Sequence, residues 1–237
     1  MNAPFTIKQG EAYGLRVMKF TLTYEGSLPP SANKSKKEDV WRIRKDFHPQ
    51  LEDLWENHPA IKNIDVNDSF PLDGAVMTHG HHLHPGPLRE PYIPRPFQPG
   101  ERSRGRINLN DPIEKHGRKF RPIVRETYAA HCGLKINFLR KEDPGRVYQG
   151  GDIDGRIKTL LDALTMPQHV EQIIADDAAP DPMFCLMEED SMVSAFQVET
   201  ERLLTGGNQP KDYVKLLIEV DVRVRFPMVY NHLFLGN

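Results

Sequence analysis

Three aspartates and one lysine with regular spacing lie in the segment GGDIDGRIKTLLDAL, residues 150–164. Asp152 and Asp154 are one residue apart, and Lys158 and Asp162 follow at intervals of four. Close carboxylates repel each other, and a divalent cation relieves that repulsion; Mg²⁺ prefers such oxygen ligands. A lysine one helical turn further on can neutralise charge that develops on a phosphate. The segment therefore predicts a magnesium site that acts on phosphate esters.

The same four residues also have a purely structural interpretation. Asp152 can cap a helix, and Asp154 can interact favourably with the positive N-terminus of that helix. Lys158 can pair with both Asp154 and Asp162 at helical spacing, for a few tenths of a kcal/mol each. An EF-hand calcium loop is excluded, because, counting from Asp152, the chain has Arg156, Ile157 and Ala163 where the loop needs a third Asp or Asn, a Gly and a Glu.

The apolar residues around the motif indicate how it is positioned. A helix is predicted from Ile153 to Leu164, since its apolar residues recur on one face. A second helix is predicted from Lys37 to Asn57, kinked or divided at Pro49. Alternating or apolar runs predict strands at residues 16–25, 121–140, 183–190, 191–204 and 212–226. This order of elements predicts an α+β fold in a single domain over residues 1–237.

Residues 58–119 lack sustained periodicity and are rich in Pro, Gly, His and Arg, so they indicate an irregular insertion within that domain. The segment includes a histidine cluster, His79, His81, His82 and His84. Because no cysteine accompanies these histidines, an exposed polar loop is the preferred interpretation, and a zinc site is the alternative. Trp41 and Trp55 lie on the apolar side of the first helix and are expected in the core.

Composition narrows the class of protein. No run of 18 apolar residues is present, so no membrane span is expected, and the first residues lack a signal-peptide pattern. The two cysteines, Cys132 and Cys185, argue against a disulfide framework. These features predict a soluble protein of a reducing cytoplasm.

Charge is distributed unevenly along the chain. Residues 1–125 hold 20 Lys and Arg against 15 Asp and Glu, whereas residues 126–237 hold 11 against 18. This asymmetry is compatible with a polyanion on one surface and a divalent metal on another. The basic residues that we consider for nucleic-acid binding are Lys34, Lys36, Lys37, Arg102, Arg104, Arg106, Arg118 and Lys119. A solvated basic loop is the alternative for the arginine-rich part.

The acidic motif resembles the hallmark of the RusA-type Holliday junction resolvases, the crossover junction endodeoxyribonucleases, which reads D-x-D-N-x-x-K-x-x-x-D-A-L. In that register this chain has Asp152, Asp154, Lys158, Asp162, Ala163 and Leu164. The segment LPPSANKSKK, residues 28–37, resembles the family's Pro-Pro-Ser-x-Asn loop, and EEDSMVSAFQVE, residues 188–199, resembles its acidic pair followed by a strand. The resemblance covers residues 17–57 and 121–226.

The resemblance implies an α+β nuclease with two main helices on a mixed sheet. It implies a bacterial or phage-encoded homodimer that cuts branched DNA with Mg²⁺, for which Mn²⁺ is a possible substitute, and without a small-molecule cofactor. Asp152, Asp154 and Asp190 would hold the metal, and Lys158 would assist at the phosphate. Asp176 or Asp177 is the alternative third ligand.

The chain departs from the family pattern in three places. Gly155 stands where the family has Asn, the basic run before the motif is missing, and the extra residues 166–181 separate the helix from the acidic pair. The first two departures favour an alternative, a catalytically silent DNA-binding or phage-assembly protein with the same fold. A hydrolase of small phosphate esters is a third hypothesis.

Overall fold

The structure is a computed structural model, which describes residues 18–32, 35–58, 61, 69–71, 76–78, 81–83, 106–108, 112–128, 130–141, 153–175, 178–205, 209–210 and 212–225. Two α-helices are described, α1 (Lys36–Asn57) and α2 (Ile153–Leu164). The described strands are β1 (Met18–Ser27), β2 (Ser69–Pro71), β3 (Val76–Thr78), β4 (His81–Leu83), β5 (Arg106–Asn108), β6 (Ile113–Lys115), β7 (Arg118–Val124), β8 (Ala130–Arg140), β9 (Met183–Met187), β10 (Val193–Arg202) and β11 (Tyr213–Val224). The predicted α+β class is confirmed.

The largest sheet has the strand order β1-β11-β8-β10. Strand β11 is antiparallel to both of its neighbours, whereas β10 runs parallel to β8. Side chains alternate along β8, so that Leu134, Ile136 and Phe138 are buried. They form one hydrophobic core with apolar residues of both helices. The sheet is therefore covered by the helices on one face.

A second sheet has the order β6-β7-β9, and its strands lead into the first sheet. Strands β7 and β9 are parallel, and a 3-10 turn follows each, Glu126–Tyr128 before β8 and Asp190–Met192 before β10. The predicted strands over residues 121–140 are thus two strands, as the alternation allows. Within residues 58–119, expected to be irregular, the described residues include the β2–β5 and β3–β4 pairs and strand β6.

Helix α1 continues through Pro49, so the predicted division into two helices is wrong. Proline removes one backbone hydrogen bond, and tertiary contacts around it offset that loss. Phe47 and Leu51 are buried on the core face on either side of Pro49. The Gln50 amide is bonded to the backbone of β1, accepting from Thr23 N at 2.9 Å and donating to Thr23 O at 2.8 Å.

Helix α2 matches its predicted bounds, because its apolar residues line the core face. Its C-terminal end is held by Arg44, a buried residue of α1. The Arg44 guanidinium donates to the carbonyls of Asp162, at 2.7 Å, and Thr165, at 3.0 and 3.2 Å. These bonds satisfy carbonyls that a helix end leaves without partners, and they fix α2 against α1. Neither of the described helices is long and apolar enough to cross a membrane.

Candidate metal and nucleic-acid site

The first turn of α2 lies against the loop that leads from β1 into α1. The backbone N–H of Ser31 donates to the carbonyl of Gly155 at 3.0 Å. That loop is itself held at its start, where Leu28 N donates to Asp212 O at 2.9 Å and Arg42 donates to Ser27 O at 2.7 Å. The Pro-Pro-Ser loop and the acidic motif therefore meet at one place, which we call the α2 mouth, defined by Ser31 and Ile153–Ile157.

Asp154 and Lys158 occupy the exposed side of α2. In the part of the chain that the structure describes, neither residue forms an ion pair with the other or with a third residue. Asp162, the next member of the row, instead pairs with Lys36 of α1 at 2.7 Å. The intrahelical pairs that would explain this row structurally are therefore absent among the described residues, and one carboxylate and one ammonium are available to a ligand.

Gly155, the departure from the family motif, is buried rather than exposed beside the acidic row. Its carbonyl accepts both the Ser31 N–H and the Thr159 hydroxyl, the latter at 3.1 Å. The position thus contributes backbone contacts to the α2 mouth. An asparagine here would have to fit its side chain against the protein interior.

Asp190, the predicted third ligand, lies in the 3-10 turn between β9 and β10. That turn follows Met187, whose carbonyl accepts the N–H of Met166, just after the C-terminal end of α2. Asp154 lies in the first turn of α2, and eleven residues of helix, about 16 Å, separate it from Thr165 at the other end. Asp190 is exposed in this turn, and its role as the third metal ligand stays a prediction.

The acidic residues beside Asp190 have contacts within the protein. The Glu188 carboxylate is buried and accepts the N–H of Glu126 at 3.1 Å. Glu189 accepts the Ser191 hydroxyl at 3.3 Å. Arg225, on the adjoining surface, is paired with Glu126. Most charged groups around this turn are thus already satisfied by the chain itself.

Metal ligands can be assessed only for the residues that are described. Among them, no three Asp, Glu, His or Cys side chains come together as a metal-binding group. Asp152, Asp176 and Asp177 lie outside the described residues, as do His79 and His84, whereas His81 and His82 lie in β4. Asp154 is the one predicted metal ligand described at the α2 mouth, and its carboxylate is of the hard-oxygen type that suits Mg²⁺.

Two groups of the predicted basic residues lie in described elements, at the starts of α1 and β7. Lys36 and Lys37 begin α1, where Lys36 reaches Asp162 and Lys37 lies 3.9 Å from Glu38. Arg118 and Lys119 begin β7, and the Arg118 guanidinium lies 5.5 Å from the centre of the Trp41 ring in α1. Lys34, Arg102 and Arg104 are outside the described residues, and Arg106 lies in β5.

Lys115 of β6 and Gln168, just beyond α2, contact each other, and neither was identified from the sequence. Lys115 of β6 donates to the side-chain oxygen of Gln168 at 2.5 Å, four residues beyond the end of α2. The signal in the sequence is His116–Gly117 between charged residues, which is typical of a two-residue hairpin turn. Gln168 itself carries no signal in its local sequence.

The tryptophans and cysteines are structural, as predicted for Trp41 and Trp55. Both rings are buried in the core. Cys132 and Cys185 are free thiols, and burial raises their pKa values to about 12 and about 11 respectively. Neither thiol is therefore a nucleophile near neutral pH.

Comparisons with protein-family models, curated proteins and solved structures give no match for this chain.

Proposed function

We propose that this protein is a magnesium-dependent, structure-selective endodeoxyribonuclease of the RusA type, which hydrolyses phosphodiester bonds in Holliday junctions or other branched DNA. The observation that carries the proposal is the exposed row on α2, where Asp154 and Lys158 have no ion-pair partner among the described residues. The adjoining basic residues Lys36 and Lys37 suit a polyanionic substrate. We place this activity in the cytoplasm of a bacterium, encoded by the bacterium or by a phage.

In the proposed reaction, Asp152 and Asp154 hold the metal at the α2 mouth. When bound there, Mg²⁺ activates water and polarises the phosphate. Lys158 follows one turn along the same row, so its ammonium neutralises charge on the non-bridging oxygens as the phosphate becomes pentacoordinate. Lys36 of α1, paired with Asp162, lies further along the row, where its remaining N–H donors orient the strand.

The third carboxylate in this proposal comes from a second subunit. Mg²⁺ is commonly bound by one or two protein carboxylates from one segment, with water in the other positions. Asp190 is exposed in the turn between β9 and β10, so in a homodimer it can contribute to the α2 mouth of its partner. Asp176 and Asp177 are the alternative source.

The experiment compares Asp154→Asn with wild type on a labelled four-way junction in Mg²⁺. Glu171→Gln, an exposed acid in a 3-10 turn after α2, is the matched control. We expect Asp154→Asn to lower the cleavage rate at least about 100-fold while junction binding in Ca²⁺ is retained, and the control to cleave normally. Cleavage by Asp154→Asn at the wild-type rate would refute the assignment.

The second candidate function is a DNA-binding protein without nuclease activity. Gly155 in place of the family Asn and the absence of a basic run before the motif favour it. This candidate predicts that wild-type protein binds the junction but yields no product in Mg²⁺ or Mn²⁺. The same titration therefore separates the two functions.

A further inference from the structure

Strands β6 and β7 form a hairpin whose tip is exposed. Lys115 pairs with Arg118 across a two-residue turn, His116–Gly117, in which φ is 53° and 76°. Positive φ at both positions is the geometry that matches the twist of two paired strands. Histidine tolerates this conformation better than most residues, and glycine adopts it freely. The tip is therefore a tight and ordered turn.

The hairpin is strongly basic. Residues 113–121 contain four Lys and Arg, one Glu and one His. Lys115 is bonded to the neutral amide of Gln168, so that bond leaves its charge uncompensated. Lys119 has an exposed side chain, and its backbone N–H donates to the Asp181 carboxylate at 3.1 Å. In the described part of the chain, neither lysine's ammonium forms an ion pair. The surface of the hairpin thus suits an anionic partner with several charges.

The hairpin is fixed to α2 through Gln168. Besides accepting from Lys115, Gln168 accepts a bond from His116 Nε2 at its backbone carbonyl, 3.2 Å away. Its side-chain amide donates to Met166 O at 2.8 Å and to Glu188 O at 2.6 Å. One residue therefore joins the hairpin, the exit of α2 and the end of β9, so the hairpin is held beside the C-terminal end of α2.

This arrangement sets a distance between the hairpin and the α2 mouth. Helix α2 has 12 residues and is about 18 Å long. Successive phosphates of one DNA strand advance by about 3.4 Å along the duplex axis. A duplex lying along α2 would present phosphates to the hairpin about five or six nucleotides from the one at the α2 mouth.

We infer that the β6–β7 hairpin is a second DNA contact, which binds the phosphate backbone of one duplex arm about five or six base pairs from the cleavage site. The inference rests on the proposed function and adds to it the length of arm that the protein holds. A DNA backbone fits better than an acidic protein surface, because a further lysine, Lys36 of α1, contacts Asp162 near the same C-terminal end of α2.

The test removes two charges from the hairpin with Lys115→Gln/Lys119→Gln. The matched control is Lys135→Gln/Lys215→Gln, which removes two charges from exposed ion pairs of the main sheet. Binding to four-way junctions with arms of about 12 or about 4 base pairs is measured in Ca²⁺ over a range of salt concentrations. Loss of the Lys115–Gln168 bond could disturb the fold of the double variant. Lys119→Gln alone, at an exposed side chain, therefore serves as a second variant that keeps this bond.

We expect the hairpin variant to bind the long-armed junction about tenfold more weakly and to lower the salt slope by about 2, one unit for each phosphate contact. Lys119→Gln should lower the slope by about 1. On short arms the hairpin variant and wild type should bind equally. A hairpin variant indistinguishable from wild type on long arms, or a control with the same loss, overturns the inference.

Failure of the proposed function gives a different result. If wild-type protein binds no branched DNA, both the proposed function and this contact are wrong. If wild type binds and cleaves junctions but arm length has the same effect on wild type and variant, only the hairpin contact is wrong.

Discussion

The α2 mouth and the turn between β9 and β10 are both acidic in sequence, but their charged groups are used differently. At the α2 mouth, Asp154 is exposed and has no ion-pair partner among the described residues. At the turn, Glu188 is buried and bonded to the N–H of Glu126. A carboxylate already bonded inside the protein has little left for a ligand, whereas one with no such bond is available. The contacts of the second region are therefore mainly structural, with Asp190 as the exposed exception, whereas the first region leaves Asp154 available for the proposed chemistry.

The largest effect is expected when the two regions are tested together in one dimer. Asp154→Asn and Asp190→Asn should each be inactive as homodimers. Mixed after unfolding and refolding together, half of the dimers carry one chain of each kind. If Asp190 acts on the partner's α2 mouth, each mixed dimer has one intact site, and about a quarter of wild-type junction cleavage returns.

Two results would contradict that arrangement, and they differ from each other. Cleavage that stays absent after mixing would mean that Asp154 and Asp190 act in the same chain. An active Asp190→Asn homodimer would remove Asp190 from the site altogether. Wild type carried through the same refolding, with a normal cleavage rate, shows that the procedure itself is harmless.

A smaller effect is expected on the free energy of unfolding, which should depend on Glu188 near the β9–β10 turn but not on Asp154 at the α2 mouth. Glu188→Ala removes a buried acceptor and should lower the free energy of unfolding by about 2 kcal/mol, because the N–H of Glu126 is left without that partner. Its cleavage rate, measured well below the unfolding temperature, should stay close to wild type. Asp154→Asn should show the reverse, with lost cleavage and unchanged urea unfolding. A Glu188→Ala protein that is stable but inactive would invert the comparison.

The sequence predicts the α2 region better than the β9–β10 turn, for a physical reason. The helical period of Ile157, Leu160 and Leu164 is local information, and the bounds of α2 follow from it. The place of Asp190 depends on β10 pairing in parallel with the start of β8, through the Val193–Cys132 register. That pairing is long-range, so no local pattern shows it.

Two other features show where local patterns mislead. Pro49 predicts a break in α1, but core packing and the Gln50–Thr23 bonds keep the helix continuous. The β6–β7 hairpin was missed because charged residues surround its turn and hide the alternation of Ile113 and Phe120. In both cases tertiary contacts, which the sequence pattern does not contain, decide the outcome.

The pH dependence of stability tests the hydrogen bond between His48 of α1 and β9, the strand that leads into the β9–β10 turn. The N–H of Phe184 donates to His48 Nδ1 at 3.1 Å, and burial lowers the pKa of His48 below its ordinary 6.5. Protonation would put a hydrogen on Nδ1 and remove this acceptor. Stability should therefore be complete above pH 6.5 and should fall by about 1 kcal/mol as pH drops below it toward the lowered pKa, as urea unfolding at pH 7.5 and 5 would show.

His48→Asn is the control for this prediction, because its side-chain oxygen can accept the same N–H without titrating. Burial also lowers the pKa values of His58 and His131, so the quantity of interest is the difference between wild type and variant. Equal loss of stability in acid for both proteins would show that the contact to β9 is not the sensitive one.

The smallest expected effect concerns the ion pair between Lys36 of α1 and Asp162 of α2. The Lys36 and Asp162 side chains are 33% and 23% exposed, so water screens their attraction. A double-mutant cycle with Lys36→Met and Asp162→Asn should give a coupling of about 0.5 kcal/mol in urea unfolding, and 1 M NaCl should abolish it. Lys37→Met is the control, because Lys37 contacts Glu38 rather than α2, and it should show no coupling to Asp162. A coupling above about 2 kcal/mol that persists at high salt would mean that Asp162, like Glu188, mainly stabilises the fold. Only Asp154 and Lys158 of the α2 row would then remain available to a ligand.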